Sequence, residues 1–455
     1  MFVRIFGSTL IPIQIYADKI TPRLEYACSI LFGIVLQAPY KLQFTRAEMM
    51  AGNGQPIIYY TTNLGQKGFC VRPSGLVFEE GLHPLEPDVT WKNGVPMLFP
   101  NLQNCSLGFD IFSATFFMAS RYEEYLPFTP DSFGRFPEVE SLSGKFDFTH
   151  LPVVHLWALL LGQKLGSLFK SFSLPEKKPS ALFTYDIDVA FAYKGRSLKT
   201  HLLSLARDVL TGKFSTIRQK ISHGFGTLKD PSDTYKVLEN NSLQKIVFFL
   251  VKNKRTRYDR NISPGSPAFI NLVQRLLQKG FVLGVHPSYL SSDKTEFIKE
   301  EKNTLQSIVN QKITHSRQHF LRFQMPTTFR ALLKEGIEHE YSMQYPEMPG
   351  FRAGMCLPFP FFDVLANQVT KLYMHPGCIM ETTFRDDLHI PANQSLEWYK
   401  SLWEQVKKVG GQFICIWHND TLWDNLPDDN KLAFRQVHEK MVEIIKKDLQ
   451  AQSPH

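Results

Sequence analysis

The sequence predicts an α/β barrel that follows a separate amino-terminal α+β part. From about residue 180 onward, apolar runs that suit buried strands alternate with segments of helical spacing, which is the order of a β/α fold. Polar residues of catalytic type follow the carboxyl ends of these strands, where α/β barrels keep their chemistry. A Pro- and Lys-containing linker, residues 173–180, sets this part off from the residues before it. We therefore expect two domains, over residues 1–174 and 175–455.

The first barrel strand is predicted to end in the run FTYDID, residues 183–188. Side chains alternate along a strand, so Asp186 and Asp188 are expected on the same face. Paired acids at a strand end are also common in solvated loops and helix caps. A catalytic role for the pair is supported only by the residues that follow it in the chain.

Three further strand ends carry a histidine or an arginine. Residues 242–250 and 281–285 are predicted strands, and the second of them leads into His286. A later strand holds Arg317 and His319, and a strand over residues 413–417 leads into His418. Predicted helices lie between these strands, over residues 267–279, 293–309, 326–334 and 396–409. Because each polar group ends a separate strand, the sequence predicts one site at the mouth of a barrel.

The amino-terminal part shows no catalytic signature, and we expect it to serve docking, substrate positioning or structure. Thr21 and Pro22 have the pattern of an N-cap and first helical residue. Short strands are predicted over residues 56–61 and 68–71, and helical spacing recurs over residues 109–125 and 156–172. A basic amphipathic insertion, residues 193–230, is expected either to contact a membrane surface or to pack on the protein itself.

Composition narrows the function classes. The chain has 455 residues, 43% of them hydrophobic and 21% charged, which is typical of globular proteins. The net charge of +8 favours acidic partners, but no nucleic-acid motif is present and no nucleic-acid partner is expected. The 6 cysteines lack the spacing of a zinc ribbon or a disulfide framework. Without a secretory signal pattern or an apolar run long enough to span a bilayer, we expect a cytoplasmic protein.

Four motifs in order resemble the polysaccharide deacetylases of the NodB-homology type, carbohydrate esterase family four. They are TYDID at residues 184–188, KGFVLGVH at 279–286, an Arg317-containing strand followed by LKEGIEHEYS at 333–342, and ICIWH at 414–418. The resemblance covers roughly residues 180–418. The chain further resembles a subset of that family with an extra amino-terminal domain of unknown role.

The resemblance implies a distorted (β/α) barrel of about seven strands and a hydrolase that uses a divalent metal, zinc or else cobalt, to remove acetyl groups from sugars. It also implies roles for six residues. These are Asp186 as general base, Asp188 and His286 as metal ligands, Arg317 as the residue that orients the base, Phe320 as an oxyanion-binding backbone N–H, and His418 as general acid. An arginine can hold a carboxylate through two parallel hydrogen bonds, which suits the role of Arg317.

The chain departs from the family where the metal site should be completed. The usual second histidine, four residues after the first, is replaced by Leu290, which cannot bind a metal. His319 lies two residues beyond Arg317 and is the candidate replacement that would give an Asp/His/His site. Ser288 and Ser292 are weaker candidates because neutral hydroxyls are poor ligands. In the alternative interpretation, His319 is a hydrogen-bonded core histidine and the site holds no metal.

Three more residues complete the predicted site. Glu381 is the candidate carboxylate partner of His418, with Asp386 and Asp387 close in sequence. Tyr289 is predicted to stack on a sugar ring. Arg352, in a loop, is predicted either to bind an acidic substrate group or to form a salt bridge.

The function predicted from these residues is metal-dependent hydrolysis of an acetyl amide on an amino sugar or glycan, or on another small amide. A metal polarises the carbonyl and makes water more acidic, a carboxylate removes the water's proton, and a histidine protonates the departing amine. Two alternatives remain open at the level of sequence. The chain could be an inactive glycan-binding relative, or a scaffold that recruits partners or a membrane.

Overall fold

The computed structural model describes residues 11–44, 55–63, 68–101, 103, 105–195, 209, 230, 235–252, 256–423 and 429–452. These residues form two compact units. The first comprises residues 1–179, 350–376 and 405–411, and the second comprises residues 180–349, 377–404 and 412–455. The predicted insertion, residues 193–230, lies outside the described residues except at 193–195, 209 and 230. The domain boundary expected at residue 174 stays a prediction.

Fifteen strands are present in the described part of the chain. In chain order they are β1 Ile13–Ala17, β2 Tyr40–Phe44, β3 Ile57–Tyr60, β4 Cys70–Val71, β5 Val89–Lys92, β6 Val95–Leu98, β7 Ser180–Ile187, β8 Gln244–Phe249, β9 Val282–Val285, β10 His315–Ser316, β11 His339–Glu340, β12 Phe359–Asp363, β13 Gln368–Met374, β14 Ile379–Met380 and β15 Gln412–His418.

The α-helices within the described residues follow the predicted order, with boundaries shifted by a few residues. They are Pro22–Cys28, Ile111–Ser120, Leu142–Lys145, Val153–Leu168, Lys236–Asn240, Pro267–Gln278, Glu296–Val309, Thr327–Lys334, Ala392–Val409 and Asp429–Ala451. Three of them were not predicted from the sequence: the short helices Leu142–Lys145 and Lys236–Asn240, and the long last helix Asp429–Ala451.

The first unit is built on a four-stranded parallel sheet in the order β2, β1, β3, β4. Two antiparallel hairpins, β5–β6 and β12–β13, belong to the same unit. The helix Pro22–Cys28 begins as predicted, because the side chain of Thr21 accepts a hydrogen bond from the backbone N–H of Leu24. The helix Ile111–Ser120 is buried along its whole length and forms the centre of the core.

The second unit contains seven parallel strands in the order β11, β10, β9, β8, β7, β15, β14. The predicted strand number and direction agree with this arrangement. The closed barrel does not: among the described strands, no pairing joins β14 to β11. The order of pairing runs from β11 to β14 without returning to β11, and each of these two strands has only two residues. The sheet is therefore open.

Helix–strand packing in the second unit follows the sequence pattern. The helix Pro267–Gln278 is capped by Ser266 and begins with a proline, and its apolar stripe of Phe269, Leu272, Val273 and Leu276 is buried. Full burial of each such side chain contributes about 1.5–3 kcal/mol.

A glycine in β9 permits close strand packing. A Cβ atom added at Gly284 would lie 2.5 Å from the ring of Phe248 in β8 and 3.0 Å from the carbonyl oxygen of His315. This glycine belongs to the KGFVLGVH motif, and it lets the strand that delivers His286 lie close to its neighbours.

Candidate metal centre and active site

The central strand β7 places two carboxylates at its carboxyl end. Asp186 is buried, with 2% of its surface exposed, whereas the side chain of Asp188, just beyond the strand, is 25% exposed. Thr184 lies two residues before Asp186, so the two side chains share one face of the strand. This face carries the polar groups of the site.

Arg317 fixes the orientation of Asp186 through a hydrogen bond. Its Nη1 donates a hydrogen bond to Asp186 Oδ1 at 2.8 Å, and its Nη2 donates to Thr184 Oγ1 at 2.7 Å. Its Nε donates to the carbonyl oxygen of Tyr341 at 3.1 Å. The expected pair of parallel bonds to Asp186 is therefore wrong, because Thr184 takes one arm of the guanidinium. A fully buried guanidinium with every nitrogen engaged still fixes the direction of the carboxylate.

We expect Arg317→Lys to lower turnover substantially while the protein remains folded at moderate temperature. Lysine is a point charge and cannot reach Asp186, Thr184 and the Tyr341 carbonyl together, so buried acceptors lose partners at about 1–3 kcal/mol each. Steady-state kinetics and a thermal melt check this result. Unchanged turnover in a folded variant would remove Arg317 from the site.

His286 follows β9 directly and is buried. Its Nδ1 lies 2.6 Å from the backbone carbonyl oxygen of Arg317. Since a carbonyl can only accept, Nδ1 carries the hydrogen. Its Nε2 lies 3.3 Å from Asp188 Oδ1 and 3.7 Å from Asp186 Oδ2. The nitrogen available to a ligand therefore faces the two carboxylates.

The predicted strand that holds Arg317 and His319 is wrong, because β10 ends at Ser316, and His319 approaches the same point from the segment after it. Its Nδ1 lies 2.9 Å from Asp259 Oδ1 and its Nε2 lies 3.3 Å from Asp188 Oδ2. Burial alone would lower the pKa of His319, but the charges of Asp188 and Asp259 outweigh it and raise this pKa to about 9. Burial acts to raise the pKa of Asp188, but the two histidines hold it well below its ordinary value.

Asp188, His286 and His319 could hold a metal ion. One ligand atom from each lies within 4.8 Å of the others. Two ligands bound at about 2.1 Å in tetrahedral geometry are about 3.4 Å apart, close to the observed 3.3 Å separations. His286 Nε2 and Asp188 Oδ1 are also buried atoms that make no hydrogen bond. A cation between these groups would satisfy them.

The alternative ligands lie elsewhere. Leu290 is 37% exposed. Ser288 Oγ donates to Glu301 at 2.6 Å, and Ser292 Oγ contacts Arg322 Nη1. Leucine carries no ligand atom and both serine hydroxyls are engaged by other side chains, which leaves His319, one of the three converging residues, as the third candidate ligand.

His418 ends β15, and in the strand register it is the direct neighbour of Asp186. Its Nδ1 lies 3.0 Å from Glu381 Oε1, which also accepts hydrogen bonds from its backbone N–H and from Thr421. Burial would lower the pKa of His418, but Glu381, and then Asp188 and Asp186, raise it to about 10. Its Nε2, 3.8 Å from Asp188 Oδ2, can therefore carry a proton into the site.

The structure thus pairs His418 with Glu381 rather than with the two nearby aspartates. Asp386 is engaged by Arg385 through two contacts of 2.8 Å. Asp387 is exposed and ends the π-helical segment Thr383–Asp387.

Three half-buried aromatic rings lie beside the group formed by Asp188, His286 and His319. Tyr258 and Tyr289 are stacked, with centroids 4.0 Å apart and an interplanar angle of 21°. Phe320 meets both rings edge-on, at 5.5 and 5.4 Å. Phe320 follows His319 in the chain, and its φ of 62° places its backbone in the left-handed region.

Sequence reasoning missed Asp259, Tyr258 and Thr184 as parts of the site. Asp259 follows β8 in a loop, and a carboxylate after a predicted strand is the same signal that singled out Asp188. Ten residues separate it from the strand end, so spacing alone gave no reason to select it. Thr184 stands inside a motif already identified, where alternation places it on the face of Asp186.

Arg352 belongs to the first unit. Its Nε and Nη2 lie 2.8 and 2.7 Å from the two carboxylate oxygens of Glu124, and the side chain is 2% exposed. This buried, bidentate ion pair corresponds to the salt-bridge interpretation, and we do not include Arg352 in the candidate site.

One family model matches part of the chain. A family of unknown function, DUF7033, matches residues 13–170. No curated protein matches the chain. Among the described residues, no helix combines the length and apolar character needed to cross a membrane.

Several solved structures are similar at low scores. A putative polysaccharide deacetylase from Mycobacterium smegmatis is 11% identical, with a TM-score of 0.34, over 62% of this chain and 95% of that one. A 4-alpha-glucanotransferase from Thermococcus litoralis is 11% identical, with a TM-score of 0.34, over 61% and 41%. A polysaccharide deacetylase from Bacillus cereus is 10% identical, with a TM-score of 0.26, over 60% and 89%. At these values, function has to be argued from the site itself.

Proposed function

We propose that the second unit is a metal-dependent hydrolase that removes acetyl groups from an amino sugar or glycan by cleaving the C–N bond of the amide. One observation carries this proposal. A carboxylate fixed by a buried arginine, an Asp/His/His group and a carboxylate-paired histidine lie together at the ends of neighbouring strands. These are the base, the metal site and the acid that amide hydrolysis requires.

The metal would be held by Asp188, His286 and His319. When bound there, a divalent cation supplies stabilisation of the carbonyl oxygen as it gains charge, and it makes water more acidic. Two imidazoles and one carboxylate suit zinc, and cobalt accepts the same donors. With three protein ligands, positions stay open for water and substrate.

The chain's own residues carry the proton transfers. Asp186, aimed by Arg317, takes a proton from the attacking water as the new C–O bond forms. His418, kept protonated by Glu381, gives a proton to the nitrogen as the C–N bond breaks. Acetate and a free amine are the products. The backbone N–H of Phe320 is proposed to face the carbonyl oxygen.

The aromatic rings support a carbohydrate substrate over a small aliphatic amide. Tyr258, Tyr289 and Phe320 offer apolar surface beside the metal-ligating group, and sugar rings present apolar C–H faces. We propose that these rings bind the substrate by packing against a sugar ring.

We expect the zinc- or cobalt-loaded protein to release acetate from an N-acetylated amino-sugar oligosaccharide, and we expect chelator-treated protein to lose this activity. The Lewis-acid contribution disappears with the metal, while the base and the acid remain. Acetate release and free-amine labelling measure the reaction, and re-addition of metal should restore it.

The same assay distinguishes the alternatives. Protein that binds one metal per chain and binds the oligosaccharide, yet releases no acetate, would be a glycan-binding relative. Protein that binds neither would contradict both the hydrolase and the glycan-binding interpretation.

A further inference from the structure

Asp259 is a buried carboxylate whose two oxygens are both engaged. Its Oδ1 lies 2.9 Å from His319 Nδ1 and accepts the backbone N–H of Tyr289 at 2.9 Å. Its Oδ2 accepts the hydroxyl of Thr256 at 2.9 Å. Only 1% of the residue is exposed. Asp259 therefore has a fixed orientation. Because both of its oxygens are already hydrogen-bonded, we do not include it among the metal ligands.

Thr256 closes a small turn around this carboxylate. The backbone N–H of Thr256 donates to the carbonyl oxygen of Asp259, and the backbone N–H of Asp259 donates to the Thr256 hydroxyl, both at 2.9 Å. The turn is held by hydrogen bonds at both ends, so Asp259 is placed before any ligand binds.

The bond to His319 selects which ring nitrogen can bind a metal. An ionised carboxylate can only accept hydrogen bonds, so the contact with Asp259 requires a hydrogen on Nδ1. Nε2, 3.3 Å from Asp188 Oδ2, is then the nitrogen available to the metal. His286 is oriented differently, because its Nδ1 faces a neutral backbone carbonyl. A carboxylate partner raises the basicity of a ligating histidine more than a carbonyl does.

We propose that Asp259 is the positioning residue that makes His319 the third metal ligand in place of the histidine that the chain lacks at position 290. This inference rests on the metal site of the proposed function. Through Tyr289, Asp259 also fixes the loop that follows His286. One carboxylate thus joins the loops after β8, β9 and β10, and those loops bring two of the three ligands.

The test is Asp259→Asn with cobalt as the probe. The amide keeps the shape but can turn its NH₂ group toward His319, which would favour a hydrogen on Nε2 and remove the metal-binding lone pair. Competition against a chelator should show cobalt affinity lowered by about 10–100-fold. Asp429→Asn is the matched control, because Asp429 is an exposed carboxylate of the same unit at the start of the helix Asp429–Ala451, and it should leave the affinity unchanged.

A spectroscopic signature separates positioning from general destabilisation. In the cobalt-loaded wild type, proton NMR should show two paramagnetically shifted exchangeable N–H signals, from Nδ1 of His286 and of His319. Asp259→Asn should lose or broaden one of them by exchange with water. If the variant folds poorly, Thr256→Val, which removes the hydroxyl at Oδ2, should give a smaller loss of affinity in the same direction.

Two results would overturn the inference, and they differ from failure of the proposed function. Cobalt affinity within twofold of wild type in both variants, with both N–H signals retained, would show that Asp259 does not position His319. Loss of affinity with both signals retained would assign Asp259 to stability alone. Wild-type protein that binds cobalt with these signals but hydrolyses no acetyl amide would refute the proposed reaction and leave the role of Asp259 intact.

Discussion

Replacing Asp186 with asparagine is expected to slow acetyl-amide hydrolysis by roughly 10²–10⁴-fold, the usual contribution of a general base. The amide has nearly the same size and its oxygen can still accept the hydrogen bond from Arg317. It cannot accept a proton from water. The metal content should stay near that of the wild type, because Asp186 Oδ2 is 3.7 Å from His286 Nε2 and is not one of the three converging ligand residues.

The measurement is kcat on the N-acetylated oligosaccharide, with bound cobalt quantified in each sample. Asp429→Asn provides the same chemical change at an exposed position outside the site. A kcat for Asp186→Asn within a few-fold of the wild type, at equal metal content, would assign the base to another group.

Replacing His286 with alanine is expected to abolish binding of one metal per chain and, with it, the stabilisation that metal provides. At free metal 100-fold above its Kd, ligand binding stabilises the native state by about 2.7 kcal/mol. His286→Ala removes a ligand held by the Arg317 carbonyl, and neither Leu290 nor Ser288 is placed to replace it. Its melting temperature should therefore no longer rise with added zinc or cobalt.

Calorimetry with and without metal checks this result. His389→Ala is the matched control, since His389 is an exposed histidine of the same unit, and this variant should keep the full metal-dependent shift. An unchanged shift in His286→Ala would place the metal elsewhere in the chain.

The alternation of side chains and the order of the strands predicted the positions of the polar residues best at the strand ends. Asp186 and His418 each end an apolar run, and in the structure they are register neighbours on adjacent parallel strands. His286 follows β9 directly for the same reason. Where a polar residue is attached to a regular strand, the period of two fixes its direction, and the sequence is sufficient.

Features that lie in irregular segments could not be predicted from the sequence. Asp259 lies in a turn whose shape depends on hydrogen bonds to Thr256, and hydrophobic periodicity says nothing about such contacts. The closed barrel was expected because the motifs follow β/α order, but among the described strands β11 and β14 do not pair with each other. β11 and β14 are only two residues long, a property of local packing that the motif order does not contain. The motif order also does not show that Nη1 of Arg317 bonds to Asp186 while Nη2 bonds to Thr184, because this division depends on local contacts.

The missing side chain at Gly284 has a consequence for Asp186, the proposed base. The space left by the missing side chain is filled by the ring of Phe248, and that ring lies under the guanidinium of Arg317 at 4.5 Å. Arg317 in turn holds Asp186. The orientation of Asp186 thus depends on a series of contacts that starts at a position with no side chain, inside the sheet. A side chain at position 284 would therefore be expected to displace Asp186 without touching it.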